Sequence, residues 1–307
     1  MEKNALLVAL GVLTIVYIAV WIAYLRRTFS PDAPKEKVKL APQIGIGFFA
    51  NFMDTLGVGS FAITSSIYKL FNAVPDDLIP GTMNIGHAIP TAAEAFLFIG
   101  VAIVPVEFPT LISMIAAAVV GAWVGAGTVS RWPKRRIQIG LGIALFCGAL
   151  LMLGSILNWF PGGGTALGLT GTKLIVAVVF NFIFGALQQL GIGLYAPCMI
   201  LIYLMGMNPL AAFPIMMGSC AFLMPVGGFR FIKEARYSPK AAIGLAIGGV
   251  PGVLLAYYVV KSLPLLYVRW LVVFVVLYTS AMLLRSAATE SAAEANSRSH
   301  APEPAGK

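Results

Sequence analysis

Charge is what this chain of 307 residues has least of: 11% of its residues are Asp, Glu, Lys or Arg, while 59% are hydrophobic. A soluble domain carries roughly 25% charged residues, so this composition excludes an ordinary soluble protein and predicts a polytopic membrane protein. Cysteine is scarce as well. Cys147, Cys198 and Cys220 fall in apolar segments at unrelated spacings, which excludes a disulfide framework or thiolate metal centre and reads as small buried apolar residues. No metal site and no cofactor are expected. The nucleotide motif G-x4-G-K-[ST] is missing, so nothing supports direct ATP drive. The formal charge is +9, but the basic residues cluster at segment ends, as loop charge that sets topology does; no nucleic acid partner is implied. No Lys or Arg sits clearly at mid-membrane depth, so no fixed cation waits there for an anion.

What is present is an ungapped internal repeat. Residues 48–83 and 182–217 align at a constant offset of 134, with Phe48/Phe182, Leu56/Leu190, Gly57/Gly191, Gly59/Gly193, Ala62/Ala196, Pro75/Pro209, Pro80/Pro214 and Met83/Met217 identical. Both copies place Gly-x-Gly inside a long apolar stretch. A backbone break at membrane depth is tolerated only where it lines a cavity, and a matched pair of interrupted segments is the best pointer to a transporter's binding site. Close helix packing by small residues is the plainer explanation.

Ala5–Leu25 is too long for a signal-peptide core and has no small-residue cleavage site, so it is expected to remain as a transmembrane helix. Arg26, Arg27, Lys35, Lys37 and Lys39 follow it, against Lys3 before it; this places the N-terminus outside and residues 26–40 in the cytoplasm. Apolar blocks then run roughly 43–71, 78–101, 107–129, 136–157, 172–205, 208–229, 240–260 and 266–285, four to each repeat. Gly121 and Pro133 match Gly252 and Pro264. Arg131, Lys134, Arg135 and Arg136 make the loop between the third and fourth blocks of repeat one cytoplasmic. In repeat two the cluster Arg230, Lys233, Arg236 and Lys240 lies instead between the second and third blocks. Basic charge thus swaps sides, the signature of inverted topology, which needs an odd number of crossings per repeat. The first block of each repeat, long and glycine-broken, is the natural one to fold back on itself, although Pro80 and Pro90 also interrupt the second.

The expected fold class is therefore an all-α polytopic membrane protein, with two inverted repeats, glycine-broken re-entrant helices and an extra N-terminal helix. Residues 1–39 hold that helix and a basic cytoplasmic linker, 40–158 repeat one, 172–285 repeat two, and 286–307 a polar tail expected to be disordered in the cytoplasm.

Polar groups at membrane depth are expensive, so each is a functional candidate. Asn51, Asp54 and Thr55 share one helical face before Gly57, and Ser60 follows Gly59. Asn84, His87, Thr91 and Glu94 form a single stripe. Repeat two answers with Asn181, Gln188, Gln189, Tyr195, Ser219 and Cys220 but no ionisable carboxylate. Asp54, His87 and Glu94 are candidates for proton or ion coupling; Asp54 could equally cap a half-helix, and His87 could be a satisfied interior histidine. Gln188 and Gln189 are candidates for hydrogen bonds to substrate. Thr64 and Ser65 are weaker, because such side chains bond back to their own helix. Half-helix N-termini at Gly57–Gly59 and Gly191–Gly193 would present unpaired N–H groups and partial positive charge to a small oxyanion. A cation held by Asp54 and half-helix carbonyls remains the alternative.

The motif G-I-G-F-F-A-N-F-M-D-T-L-G-V-G at Gly45–Gly59, with G-A-L-Q-Q-L-G-I-G at Gly185–Gly193, resembles the TauE/SafE sulfite exporter family, over roughly residues 40–285. The resemblance implies a bacterial-type inner-membrane carrier for sulfite, thiosulfate or small organosulfonates such as sulfoacetate, driven by a proton or sodium gradient. It points to Asn51, Asp54, Thr55, Gly57, Gly59, Gln188, Gln189, Gly191 and Gly193. The phenylalanines at 48, 49 and 52 depart from the family's glycine- and serine-rich first motif. A non-enzymatic secondary transporter is the leading reading. An intramembrane enzyme acting on a lipid-linked phosphate would need basic residues to hold that phosphate, and an anion channel would need a continuous polar lining.

Overall fold

The structure, a computed structural model, describes residues 2–28, 38–75, 77–100, 105–128, 134–157, 164–189, 191–262 and 265–299. Lys35, Lys37, Arg131, Pro133, Leu190 and Pro264 lie outside them, as do the side chains of Arg27, Lys134 and Arg136. Within the described residues every element is helical, apart from an isolated bridge between Ala166 and Met207.

Helix α1 spans Glu2–Thr28. Repeat one follows as α2 (Leu40–Thr55), α3 (Ser60–Phe71), α4 (Ile79–Gly86), α5 (Ala88–Gly100), α6 (Phe108–Thr128) and α7 (Lys134–Ile156). Repeat two comprises α8 (Gly171–Gln188), α9 (Tyr195–Leu204), a short 3-10 turn, α10 (Ala212–Lys233), α11 (Pro239–Ser262) and α12 (Leu265–Ser299). Among the described residues six helical stretches are long and apolar enough to cross a membrane: α1, α6, α8, α10 with its preceding turn, α11 and α12. Their outward faces carry large apolar side chains, among them Val8 and Ile15 on α1, Trp123 on α6 and Phe274 on α12. In water such faces would aggregate; in hydrocarbon they are the solvent boundary.

The glycine motifs do break their helices. Gly57 and Gly59 have φ of +94° and +87°, and Gly191 has +80°, a region that side-chain-bearing residues avoid. Helix α2 stops at Thr55, before Gly57, and α3 starts at Ser60, after Gly59. The broken block of repeat two nevertheless contains α8, whose 18 residues suffice to cross a membrane without folding back; the short pieces are α3 and α9, about 18 and 15 Å long at 1.5 Å per residue. Block two of repeat one divides at His87 into α4 and α5, three residues before Pro90, which cannot donate to the helix ladder.

The repeats interlock. α11 of repeat two lies along α2 of repeat one, and α6 of repeat one lies along α8 of repeat two. The contacts are reciprocal: a Cβ on Gly121 would strike the Phe182 carbonyl, and one on Gly252 the Phe48 carbonyl. Those two pairs are each other's repeat equivalents. Residue i meeting j' while j meets i' is how a two-fold relation between like surfaces reads. Glycine here lets backbones approach in a setting that offers no hydrophobic drive for helix association.

Two expectations change. Cys147 is exposed on the outer face, whereas Cys198 and Cys220 are buried; the 3.6-residue period turns position 147 outward. The tail expected to be disordered from residue 286 is helical through Ser299 as a continuation of α12, in keeping with the high helix propensity of its alanines and glutamates.

Candidate functional site

The two glycine breaks face each other. A Cβ built on Gly59 would lie 3.9 Å from Tyr195 Cβ, and one on Gly193 would lie 3.8 Å from Phe61 Cβ. Phe61 and Tyr195 are repeat equivalents, so this contact is reciprocal too. Met199 and Met216 close over Gly57, and Met83 over Gly191, a methionine lining that repeat spacing alone did not reveal.

Asp54, in the last turn of α2, reaches across the break. Its Oδ1 accepts the Ser60 backbone N–H at 2.6 Å and its Oδ2 accepts the Ser60 hydroxyl at 3.0 Å. A carboxylate on a helix N-terminus satisfies orphan donors and meets the positive end of the helix dipole. The capping role anticipated for Asp54 is what the structure shows.

Glu94, on α5, is fully buried and joins the repeats. Its Oε2 accepts the Tyr195 hydroxyl of α9 at 2.8 Å, and its Oε1 lies 2.8 Å from the Thr55 hydroxyl of α2. Thr55 also lies 2.9 Å from the Asn51 carbonyl of its own helix, so its single proton has two acceptors to choose between.

His87 forms a second chain. Asn51 Nδ2 donates to the Gly47 carbonyl at 2.7 Å, which turns Asn51 Oδ1 toward His87 Nδ1 at 3.1 Å; Nε2 lies 2.9 Å from the Thr64 hydroxyl. Because Oδ1 only accepts, Nδ1 carries a hydrogen. Thr64 was the residue underrated in the sequence, since helical threonines usually bond back to their own turn; Ser65 and Ser66 do so, both to Ala62. Among the described residues no Lys or Arg pairs with Asp54 or Glu94, and the ion pair seen, Arg230–Glu234, lies on the surface.

Gln188 and Gln189 sit apart from these chains, against α10. Gln188 Oε1 accepts from the Cys220 thiol at 3.2 Å, while Gln189 abuts Gly227. Asn181 donates to the Met114 carbonyl at 2.7 Å and to Ser219 at 3.0 Å. Helix α1, outside the repeats, also touches the site's frame: the Tyr17 hydroxyl donates to the Ile85 carbonyl at 3.3 Å, beside the α4–α5 bend. Nothing in the sequence pattern singled out Tyr17.

Apolar outward faces, helices broken at facing glycines and polar groups gathered at the breaks define a polytopic helical membrane protein with an interior polar site. Residues 1–152 match the family described as Sulfite exporter TauE/SafE, so the resemblance to this membrane transporter family is shown over the first half of the chain. The match takes in α1, ahead of the motifs that suggested it. No curated protein and no solved structure matches the chain.

Proposed function

We propose that the chain is a secondary carrier, an exporter by family, moving a small sulfur oxyanion or organosulfonate of the sulfite, thiosulfate or sulfoacetate kind across a bacterial-type inner membrane. The two repeats are inverted in the bilayer, with the N-terminus outside and the C-terminus in the cytoplasm. Alternating access comes from rocking one repeat against the other about the facing breaks. The short half-helices α3 and α9 are the re-entrant pieces. The observation that carries this reading is the meeting of the two broken helices at buried carboxylates that no described cation opposes.

Roles divide by repeat. Asn51, Asp54, Thr55, Gly57, Gly59 and Ser60 shape repeat one's half of the site; Gln188, Gln189, Gly191, Gly193 and Tyr195 shape the other half and offer donors to the anion. Asp54, His87 and Glu94 carry the coupling ion. An anion close to two carboxylates is repelled unless a proton or sodium ion accompanies it, and that repulsion is itself the coupling. The geometry around Glu94 favours a proton. Ionised, it accepts from Thr55; protonated, it donates to Thr55, whose own hydrogen then turns to the Asn51 carbonyl. Both states keep every polar atom satisfied without moving a heavy atom.

Sulfite flux into liposomes reconstituted with the full chain tests the reading. Imposed proton gradients should drive accumulation in wild type and fail to do so in Glu94→Gln. Flux no greater than in empty liposomes would sink the carrier assignment, and drive by sodium alone would move the coupling role off Glu94.

A further inference from the structure

The two broken-helix termini are equivalent by repeat but not by occupancy. In repeat one the first turn of α3 already has its acceptor, the Asp54 carboxyl group, which takes Ser60 N–H and Oγ–H. The offset of 134 puts Gln188 in place of Asp54 and Leu194 in place of Ser60. Helix α9 therefore starts without a side-chain cap. Among the described residues no acceptor meets the backbone N–H of Leu194, Tyr195 or Ala196.

The adjoining side chains are orphaned as well. Gln188 is 1% exposed and its Nε2 has no partner; Gln189 is 7% exposed and neither its Nε2 nor its Oε1 has one. Gln188 is the repeat equivalent of Asp54 and ends α8; its Oε1 end turns to Cys220 of α10, which leaves Nε2 for a further partner. Cys220, which holds the Oε1 end of that amide, lies within electrostatic reach of Asp54 and Glu94 as well as of Tyr195 and Cys198 in the first turn of α9. Buried donors left unpaired are costly, and two such amides directly before the break that opens α9 call for an acceptor from outside the chain.

From this asymmetry we infer that the protein has one open anion site rather than two: the N-terminus of α9, flanked by the Gln188 and Gln189 amides, takes a small oxyanion, and Asp54 fills the matching place in repeat one as a built-in acceptor. The inference rests on the carrier reading and locates its substrate. An oxyanion with several acceptor oxygens suits backbone and amide donors together, whereas a halide offers no fixed lone-pair directions to match them.

The test titrates sodium sulfite against the purified full chain in detergent and reads thermal stability, which rises with [L]/Kd for a ligand of the native state. Gln188→Glu should melt no lower than wild type, because it supplies the missing cap, yet lose the sulfite response. Gln189→Leu should weaken sulfite at least about tenfold, the scale of one lost charge-assisted hydrogen bond. If Gln188→Glu fails to fold, Gln189→Leu carries the test alone. Wild type protected and both variants equally protected would overturn the site while leaving the carrier standing. Wild type unmoved by sulfite would overturn both.

Discussion

At the scale of single residues, Glu94 has the most demanding surroundings. It lies where two hydroxyls from different repeats converge, and its carboxylate completes both. Removing it strands the buried Tyr195 hydroxyl, at about 1–3 kcal/mol, while the Thr55 hydrogen turns to the Asn51 carbonyl. Glu94→Ala is therefore expected to lower the melting temperature in detergent, by the equivalent of roughly 1–3 kcal/mol. Glu94→Gln keeps one acceptor for Tyr195 and one donor for Thr55, and should fold nearly as well as wild type. Equal melting of the Ala and Gln variants would mean that the bridge contributes nothing to stability. Gly59 is a different case. Its φ of +87° leaves room for a methyl group but not for its conformation. Gly59→Ala should destabilise by about 1–2 kcal/mol, measured by the same melt, even though nothing stands in the way of the added atom.

At the scale of elements, glycine separates into two uses. Gly45, on α2, has no atom near the place a Cβ would occupy, while Gly121, on α6, would drive a methyl group into the backbone of α8. Gly45→Ala is expected to be neutral or to stabilise by up to about 1 kcal/mol through helix propensity. Gly121→Ala should separate α6 from α8 and destabilise clearly. The repeat adds a sharper expectation: Gly252→Ala, at the equivalent contact between α11 and α2, should cost about as much as Gly121→Ala. A large loss at one site and none at the other would show that the two interfaces are not energetically equivalent, whatever their shared geometry.

At the scale of the whole molecule, inversion is the property on which the transport reading turns. Glu107 and Glu234 are exposed and stand in corresponding loops of the two repeats, after the second block of each. In a cysteine-free background, Glu107→Cys should react with an impermeant maleimide from outside the cell and Glu234→Cys only after the membrane is opened. Labelling of both from one side would refute inversion. The broad plan was legible without coordinates: the low charge and the apolar blocks announced a helical membrane protein, and the matched Gly-x-Gly motifs marked where the helices break. Period and composition are local properties, carried by neighbouring residues, so they survive in a linear reading. Partners across the fold are not local. That Glu94 meets Tyr195 and that Thr64 turns to His87 rather than to its own helix depend on which helix packs beside which. The sequence by itself determined the class of protein, the repeat and the positions of the breaks, because hydrophobic period and glycine conformation are set residue by residue. Only the tertiary structure decided that the breaks face each other, because that depends on chain segments more than a hundred residues apart being brought into contact, and that Asp54 fills one terminus while Gln188 leaves the other uncapped, because side-chain direction across a six-residue break is not set by hydrophobic period.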